Sequence, residues 1–195
     1  MAADVYTLQS NIAQSSIGFQ IFYWNATDSK FNYLVPVTSD PPALGSAPST
    51  IETTEADSKV KTYVADRPDQ PSVELEYNFD SAGHNYARVK GKISATEAKP
   101  YLFLLPLGTG FVVKGTGATW LAGGNPVHGA VSIAQSEEAV MVPDLTSAIT
   151  DATVVATLNN WLGAGTITSG TTKLKDIIDL TTVPTIRKTD AETNA

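Results

Sequence analysis

Residues 73–79 read Val-Glu-Leu-Glu-Tyr-Asn-Phe, so that Val73, Leu75, Tyr77 and Phe79 alternate with Glu74, Glu76 and Asn78. A period of two places the apolar set on one side of an extended chain and the polar set on the other, which is a strand half in a core and half in water. The same vocabulary recurs from residue 17 to about residue 142: short stretches rich in Val, Ile, Phe, Tyr and Thr, punctuated by Gly, Pro, Asp, Asn and Ser. Candidate strands are 19–24, 31–37, 60–64, 101–105, 111–116, 127–133 and 139–142. The link 65–72 contains a Pro-Asp pair and is long enough to turn 60–64 back onto 73–79 as an antiparallel hairpin. If Val64 faces Val73 there, Lys61 stands opposite Glu76. So many short strands imply a mainly β fold, an antiparallel sandwich or barrel.

Two stretches depart from this pattern. Residues 80–90 offer Asp80 or Ser81 as N-cap followed by Ala82, Tyr86, Ala87, Val89 and Lys90, an amphipathic helix able to cover one end or face of the β structure. In 151–162, Val154, Val155, Leu158, Trp161 and Leu162 recur at helical spacing, and Gly163 stands where a glycine ends a helix. The expected organisation is therefore a β domain over 1–150, carrying the helix 80–90, and a C-terminal extension over 151–195. That extension comprises the second helix, a linker-like Gly/Thr/Ser stretch over 163–172, a short apolar piece at 174–180 and a loose polar tail from 186. Between strands lies an unusually long loop, 38–58, with Pro41, Pro42, Leu44, Gly45, Pro48 and Ile51, and acids at Glu52, Glu55 and Asp57. Its prolines favour a stiff, extended excursion, and loops of that length are seldom idle in compact domains.

Composition narrows the function classes. Among 195 residues, 13 are Lys or Arg and 20 are Asp or Glu, a formal charge of −7, which argues against a partner gripped through its phosphates. With 42% hydrophobic and 17% charged residues, the chain can bury a sizeable core. The absence of cysteine removes disulfide scaffolds, thiol nucleophiles and thiolate metal sites together. Apolar runs such as 21–24 and 101–105 fall far short of the roughly 20 residues a bilayer crossing needs. No basic n-region followed by an apolar stretch opens the sequence. A soluble, membrane-free protein is expected.

Catalytic patterns are sparse. His84 and His128 are too far apart for a helical ligand pair and sit in no metal or triad motif; the first is expected in the turn opening the helix, the second on the wet face of a strand. The glycines at 108, 110, 115 and 117 lack the strand, loop and helix order, and the lysine, of a phosphate cradle, and read better as strand and turn glycines. The carboxylate groupings Glu137-Glu138 and Asp176/Asp179 have no evident apolar pocket to split their pKa values. Phe22, Trp24, Phe31, Tyr33, Tyr63, Tyr77, Phe79, Tyr101, Phe103, Phe111 and Trp120 nearly all fall in candidate strands, and core or inter-sheet packing explains most of them. Trp161 is open: its helix, with Val155, Leu158 and Leu162, docks either on its own domain or on a neighbour. No catalytic group, metal or cofactor is expected.

The order of segments over 31–90 resembles the tail tube (major tail) proteins of long, non-contractile-tailed bacteriophages. The resemblance is carried by Tyr33-Leu34-Val35-Pro36-Val37, the Pro-rich passage 39–48, Ile51-Glu52-Thr53-Thr54 and Asp57-Ser58-Lys59-Val60-Lys61-Thr62-Tyr63-Val64. It continues through Val73-Glu74-Leu75-Glu76-Tyr77-Asn78-Phe79-Asp80 and Asn85-Tyr86-Ala87-Arg88-Val89-Lys90, with an echo over 127–138 ending in Gln135-Ser136-Glu137-Glu138. The short form of the family does not extend past about residue 150. The resemblance implies a β-sandwich or barrel with a flanking helix, forming homohexameric rings that stack into a conduit through which DNA passes without adhering. The type VI secretion tube protein is similar in fold and assembly. It implies further copies of the chain as partners, together with the tape measure, tail terminator and distal tail proteins, and residence in the virion tail after assembly in the host cytoplasm. Under this reading the loop 38–58 is an inter-protomer or stacking arm, and Glu74, Glu76 and Asn78 line the lumen. A monomeric β-sandwich binding or adhesion module is the alternative, and an enzyme using paired carboxylates ranks last.

Overall fold

The computed structural model describes residues 19–39, 42, 44, 50–52, 63–65, 72–79, 83–105, 108–123 and 127–182. The fold is mainly β, with ten strands and two α-helices among these residues: β1 (Gln20–Asn25), β2 (Lys30–Val35), β3 (Thr50–Glu52), β4 (Tyr63–Ala65), β5 (Ser72–Asn78), α1 (His84–Lys92), β6 (Lys99–Leu104), β7 (Gly110–Ala122), β8 (His128–Gln135), β9 (Val140–Val142), α2 (Ala152–Leu162) and β10 (Ile178–Asp179). The main sheet runs β10-β2-β1-β6-β7-β8-β5, with β9 added on β7, and β3 and β4 form a separate pair. It is a mixed sheet, because β10 joins β2 in parallel while the other pairings are antiparallel.

Among the described residues, the expected hairpin between 60–64 and 73–79 does not form. β4 pairs with β3 inside the segment read as a long loop, with Ile51 opposite Val64, and β5 pairs with β8, placing Glu76 opposite Ala130. Lys61 lies outside the described residues. The alternation in 73–79 correctly fixes which face of the strand is wet, since Val73, Leu75 and Tyr77 are buried and Glu74, Glu76 and Asn78 exposed. It carries no information about which strand lies alongside, because any neighbour with a matching face satisfies it.

Two apolar clusters sit on opposite faces of the sheet. Neighbouring residues fall into different clusters: Ile21 and Phe22, Tyr101 and Leu102, Val112 and Val113. One cluster joins Leu34 and Val35 of β2 to Val73, Leu75 and Tyr77 of β5. These strands stand far apart in the strand order, so the sheet must curl around that cluster, which is the concave side. Val37 bridges to Tyr77, Thr38 N–H donates to the Glu76 carbonyl at 2.9 Å, and Glu76 N–H donates to Ser39 Oγ at 3.1 Å. These contacts draw the two edges together, yet the sheet remains open. Helix α1 closes the concave side with Val89, flanked by Tyr86 and Ile93.

Helix α2 packs on the convex face. Leu158, Trp161 and Leu162 join Phe22, Phe31, Leu102, Leu104 and Val112 in one core, to which Ile167, Leu174, Ile177 and Ile178 also belong. Asp151 caps the helix, its carboxylate accepting from Thr153 and Val154 N–H. Gly163, at φ 116°, ends it. The linker-like stretch that follows is pinned: Asn159 donates to the Ile167 carbonyl at 2.9 Å and accepts from Ile167 N–H at 2.8 Å. The apolar piece 174–180 supplies a 3-10 turn and β10. The tail from 186 lies outside the described residues. Among the described residues no helix is long and apolar enough to cross a membrane.

Strand β7 is the pivot. Its first half pairs with β6 and β9, and its second half with β8. Gly115 is shared, opposite Lys99 on one side and Gln135 on the other. Beyond it, residues 116–122 run on with β8 and β5 for roughly 20 Å past the end of β6. Sequence reading stops this strand at Thr116, because Gly115 and Gly117 lower its strand propensity.

Candidate assembly surfaces

The projecting β7–β8–β5 blade has a convex face whose composition follows from register. Successive cross-strand rows are Glu74–Ser132–Ala118, Glu76–Ala130–Trp120 and Asn78–His128–Ala122. Alternation along β7 puts these residues on the same face as Val112 and Lys114, the face that α2 covers farther back. Here Ala118, Trp120, Glu74, Glu76 and Asn78 are exposed, Ser132, His128 and Ala122 are half-buried, and Ala130 lies buried between its neighbours. Glu74 and Glu76 are exposed, and among the described residues neither carboxylate meets a cation.

Trp120 does not pack in a core, contrary to expectation. It is 44% exposed on the convex face near the end of the β7–β8 hairpin, where Leu121, on the opposite face, is 50% exposed and Val127 45%. Sequence reading missed this surface because aromatic and branched residues in a strand are ordinarily core. The distinguishing signal is the flanking turn chemistry, Gly123-Gly124-Asn125-Pro126, which places Trp120 and Leu121 at a strand end.

The blade is braced from its concave side. The Tyr77 ring lies over Gly129, where a Cβ would collide with the hydroxyl end of the ring. Thr119 Oγ1 donates to the Ala130 carbonyl at 2.7 Å, which leaves the Tyr77 hydroxyl as donor in its 2.8 Å bond to Thr119 Oγ1. Burial is the main cause of the raised Tyr77 pKa. His128 is half-buried at the start of β8, and His84 is the first residue of α1, in the turn that opens the helix. The N-cap of α1 is Gly83, with no side-chain bond, in place of the expected Asp80 or Ser81, which lie outside the described residues.

Of the proposed arm, Pro42 and Leu44 are half-buried, Leu44 against the concave core. Ile51 and Glu52 belong to β3, and Glu52 is exposed. Pro41, Gly45 and Pro48 lie outside the described residues.

The α2 residues face their own chain. Leu158 is fully buried, Trp161 and Leu162 are each 7% exposed, and Val155 packs at the margin. The Trp161 indole donates to Glu137 Oε2 at 2.9 Å, and Lys114 Nζ bonds Glu137 Oε1 at 3.0 Å. These two bonds, the tryptophan's foremost, hold the Glu137 carboxyl below its ordinary value. An anion fixed in this way is a structural clamp and a poor general acid. Asp176 accepts from Lys173 N–H at 3.0 Å and Asp179 from Thr181 N–H at 3.0 Å, so these acids also have local structural tasks.

Asp144 gives a test of these assignments. Its carboxylate accepts from the Ser147 hydroxyl, and from the Thr146 backbone and hydroxyl, which lower its pKa from 3.8 to about 2. A folded pKa below the unfolded one means that the contribution is present above about 3.8 and is lost as pH falls through about 2. Urea midpoints measured down that window should fall less steeply for Asp144→Asn than for the natural chain. Equal slopes would show that these bonds do not persist in solution.

Beside α2, an open cleft of about 610 Å³ is lined by Tyr23, Trp24, Lys92, Lys99, Pro100 and Trp161, among others. Among the described residues no three His, Cys, Asp or Glu side chains gather as a metal site would require.

No protein-family model matches the chain, and no curated protein matches its sequence. Among solved structures, one similar chain belongs to an extracellular contractile injection system, described as the PVC sheath/tube terminator in the extended state, at 11% identity and a TM-score of 0.46. Another belongs to the anti-feeding prophage (AFP) baseplate, at 12% identity and a TM-score of 0.39. In each case the match covers 68% of this chain and 98% of the other.

Proposed function

We propose that this chain is a non-catalytic structural subunit of a bacteriophage tail tube, self-assembling into stacked, hexameric rings in the virion. The observation that carries the proposal is the projecting blade, whose tip holds Trp120, Leu121 and Val127 in water. Trp120 and its strand neighbour Leu121 point to opposite faces of the hairpin end, so apolar surface is left in water on both faces, where a neighbouring subunit can cover it. A contact repeated head to tail closes into a ring, and ring-on-ring contacts extend without closing into a tube. Other tail proteins would meet such a tube at its ends, and DNA would pass through it.

Sedimentation velocity over a wide concentration range should show the monomer giving way to large, concentration-dependent species. A monomer at every concentration contradicts the proposal. The aromatic and lysine lining of the 610 Å³ cleft favours, as a second reading, a monomeric module that binds glycan. Saturable glycan binding by the monomer would support that reading instead.

A further inference from the structure

We propose that the open convex face of the blade docks the outer side of α1 from a second copy of this chain. This rests on the self-assembling reading above and deepens it by naming the two surfaces that meet. Helix α1 carries Arg88, Lys90 and Lys92 and no acid, and all three cations are exposed. Lys90 lies 5.9 Å from the Tyr86 ring centre and Lys92 lies 4.8 Å from that of Tyr23. Among the described residues none of the three meets a carboxylate. The blade presents Glu74 and Glu76, equally without cations.

One chain cannot bring these groups together. Helix α1 packs on the concave side of the sheet through Val89, while Glu74 and Glu76 project from the convex side, opposite to Val73, Leu75 and Tyr77. A second copy can. Spacing fits as well as sign: two residues of strand separate Glu74 from Glu76 by about 6.7 Å, and one helical turn separates Arg88 from Lys92 by about 6 Å. The helix is also built for close approach. Ala87 and Gly91, one turn apart, are exposed, and no atom of the described chain lies within 4 Å of where a Gly91 Cβ would stand. A glycine inside a helix weakens it, and no packing within the chain calls for this one. The blade answers with a low floor of Ala118, Ala130 and Ser132, and Trp120 in the Glu76 row supplies the aromatic anchor that protein interfaces favour. That anchor makes this face better suited to a protein than to the wall of a DNA conduit.

The test uses sedimentation velocity on the natural chain, on Glu74→Lys/Glu76→Lys, on Arg88→Glu/Lys92→Glu, and on an equimolar mixture of the two variants. Each variant alone should need at least about tenfold more protein for half-assembly, because like charges then face each other. The mixture should return to within about twofold of the natural chain, since each variant supplies the surface that the other lacks; that rescue cannot come from misfolded chains. Glu74→Gln/Glu76→Gln should show a smaller shift in the same direction. Variants that assemble at the natural concentration, or a mixture that does not recover, overturn this contact while leaving self-assembly standing. If the lysine variant assembles normally but its assemblies retain added duplex DNA, the face lines a lumen and the contact is wrong. A natural chain that never leaves the monomer removes both this contact and the reading beneath it.

Discussion

Gly115→Ala should cost about 3 kcal/mol or more of folding stability, a large effect for one methyl group. At this position β7 is hydrogen-bonded on both sides, opposite Lys99 and Gln135. An added Cβ would collide with the Ala134 carbonyl oxygen, with the Ile133 side chain next at 2.9 Å. A flexible side chain could move aside, but a carbonyl in the β7–β8 ladder cannot move without releasing the blade from the rest of the sheet. Urea unfolding of the variant measures the loss. Gly91→Ala is the internal control: that position is open, so the same change there should leave stability within about 1 kcal/mol or raise it. Similar losses at the two sites would mean that β7 is not packed against β8 as described.

Trp161→Ala should be of comparable size, about 3 to 5 kcal/mol, by opening a cavity in the convex core. The indole is 7% exposed and also holds Glu137 through its Nε1 bond. Trp161→Phe keeps most of the packing and removes the bond, and should cost less, about 1.5 to 3 kcal/mol, the usual worth of a hydrogen bond to a charged group. That ordering, read from urea midpoints, distinguishes a helix docked on its own sheet from one reserved for a neighbour. A loss below about 1 kcal/mol for Trp161→Ala, together with weaker self-assembly, would place α2 on another subunit.

What the residues announce and what they conceal follow physical lines. Local rules identify both helices. Asp151 at the cap, the 3.6-residue spacing of Leu158, Trp161 and Leu162, and Gly163 at the end suffice for α2, whereas α1, expected over 80–90, runs from His84 to Lys92. The period-two rule identifies the faces of β5 without error. Strand partnership escapes, because it depends on residues more than 50 positions away: β5 chooses β8, whose Gly129, Ala130 and Ala134 give little alternation to read. Leu174, Ile177 and Ile178 follow neither a strand nor a helix period, since they straddle a 3-10 turn and a two-residue strand, so their place in the convex core is invisible beforehand. The candidate surface is half visible. Glu74 and Glu76 are found from the sequence, but the tryptophan in their row is assigned to the core, because exposure at a strand end is a tertiary fact.

Charge acquires a different meaning through this arrangement. The net −7 is an average over surfaces that differ, an acidic blade face and a basic helix on opposite sides of one sheet. An uneven distribution of this kind steers copies toward one another and selects a head-to-tail contact over a random one.

Electron microscopy of the concentrated protein tests the central claim most directly. The account predicts stacked rings with six-fold symmetry and an open channel, each blade seated on the α1 of the next subunit. Monomers, or closed dimers without a channel, at every concentration examined would contradict it.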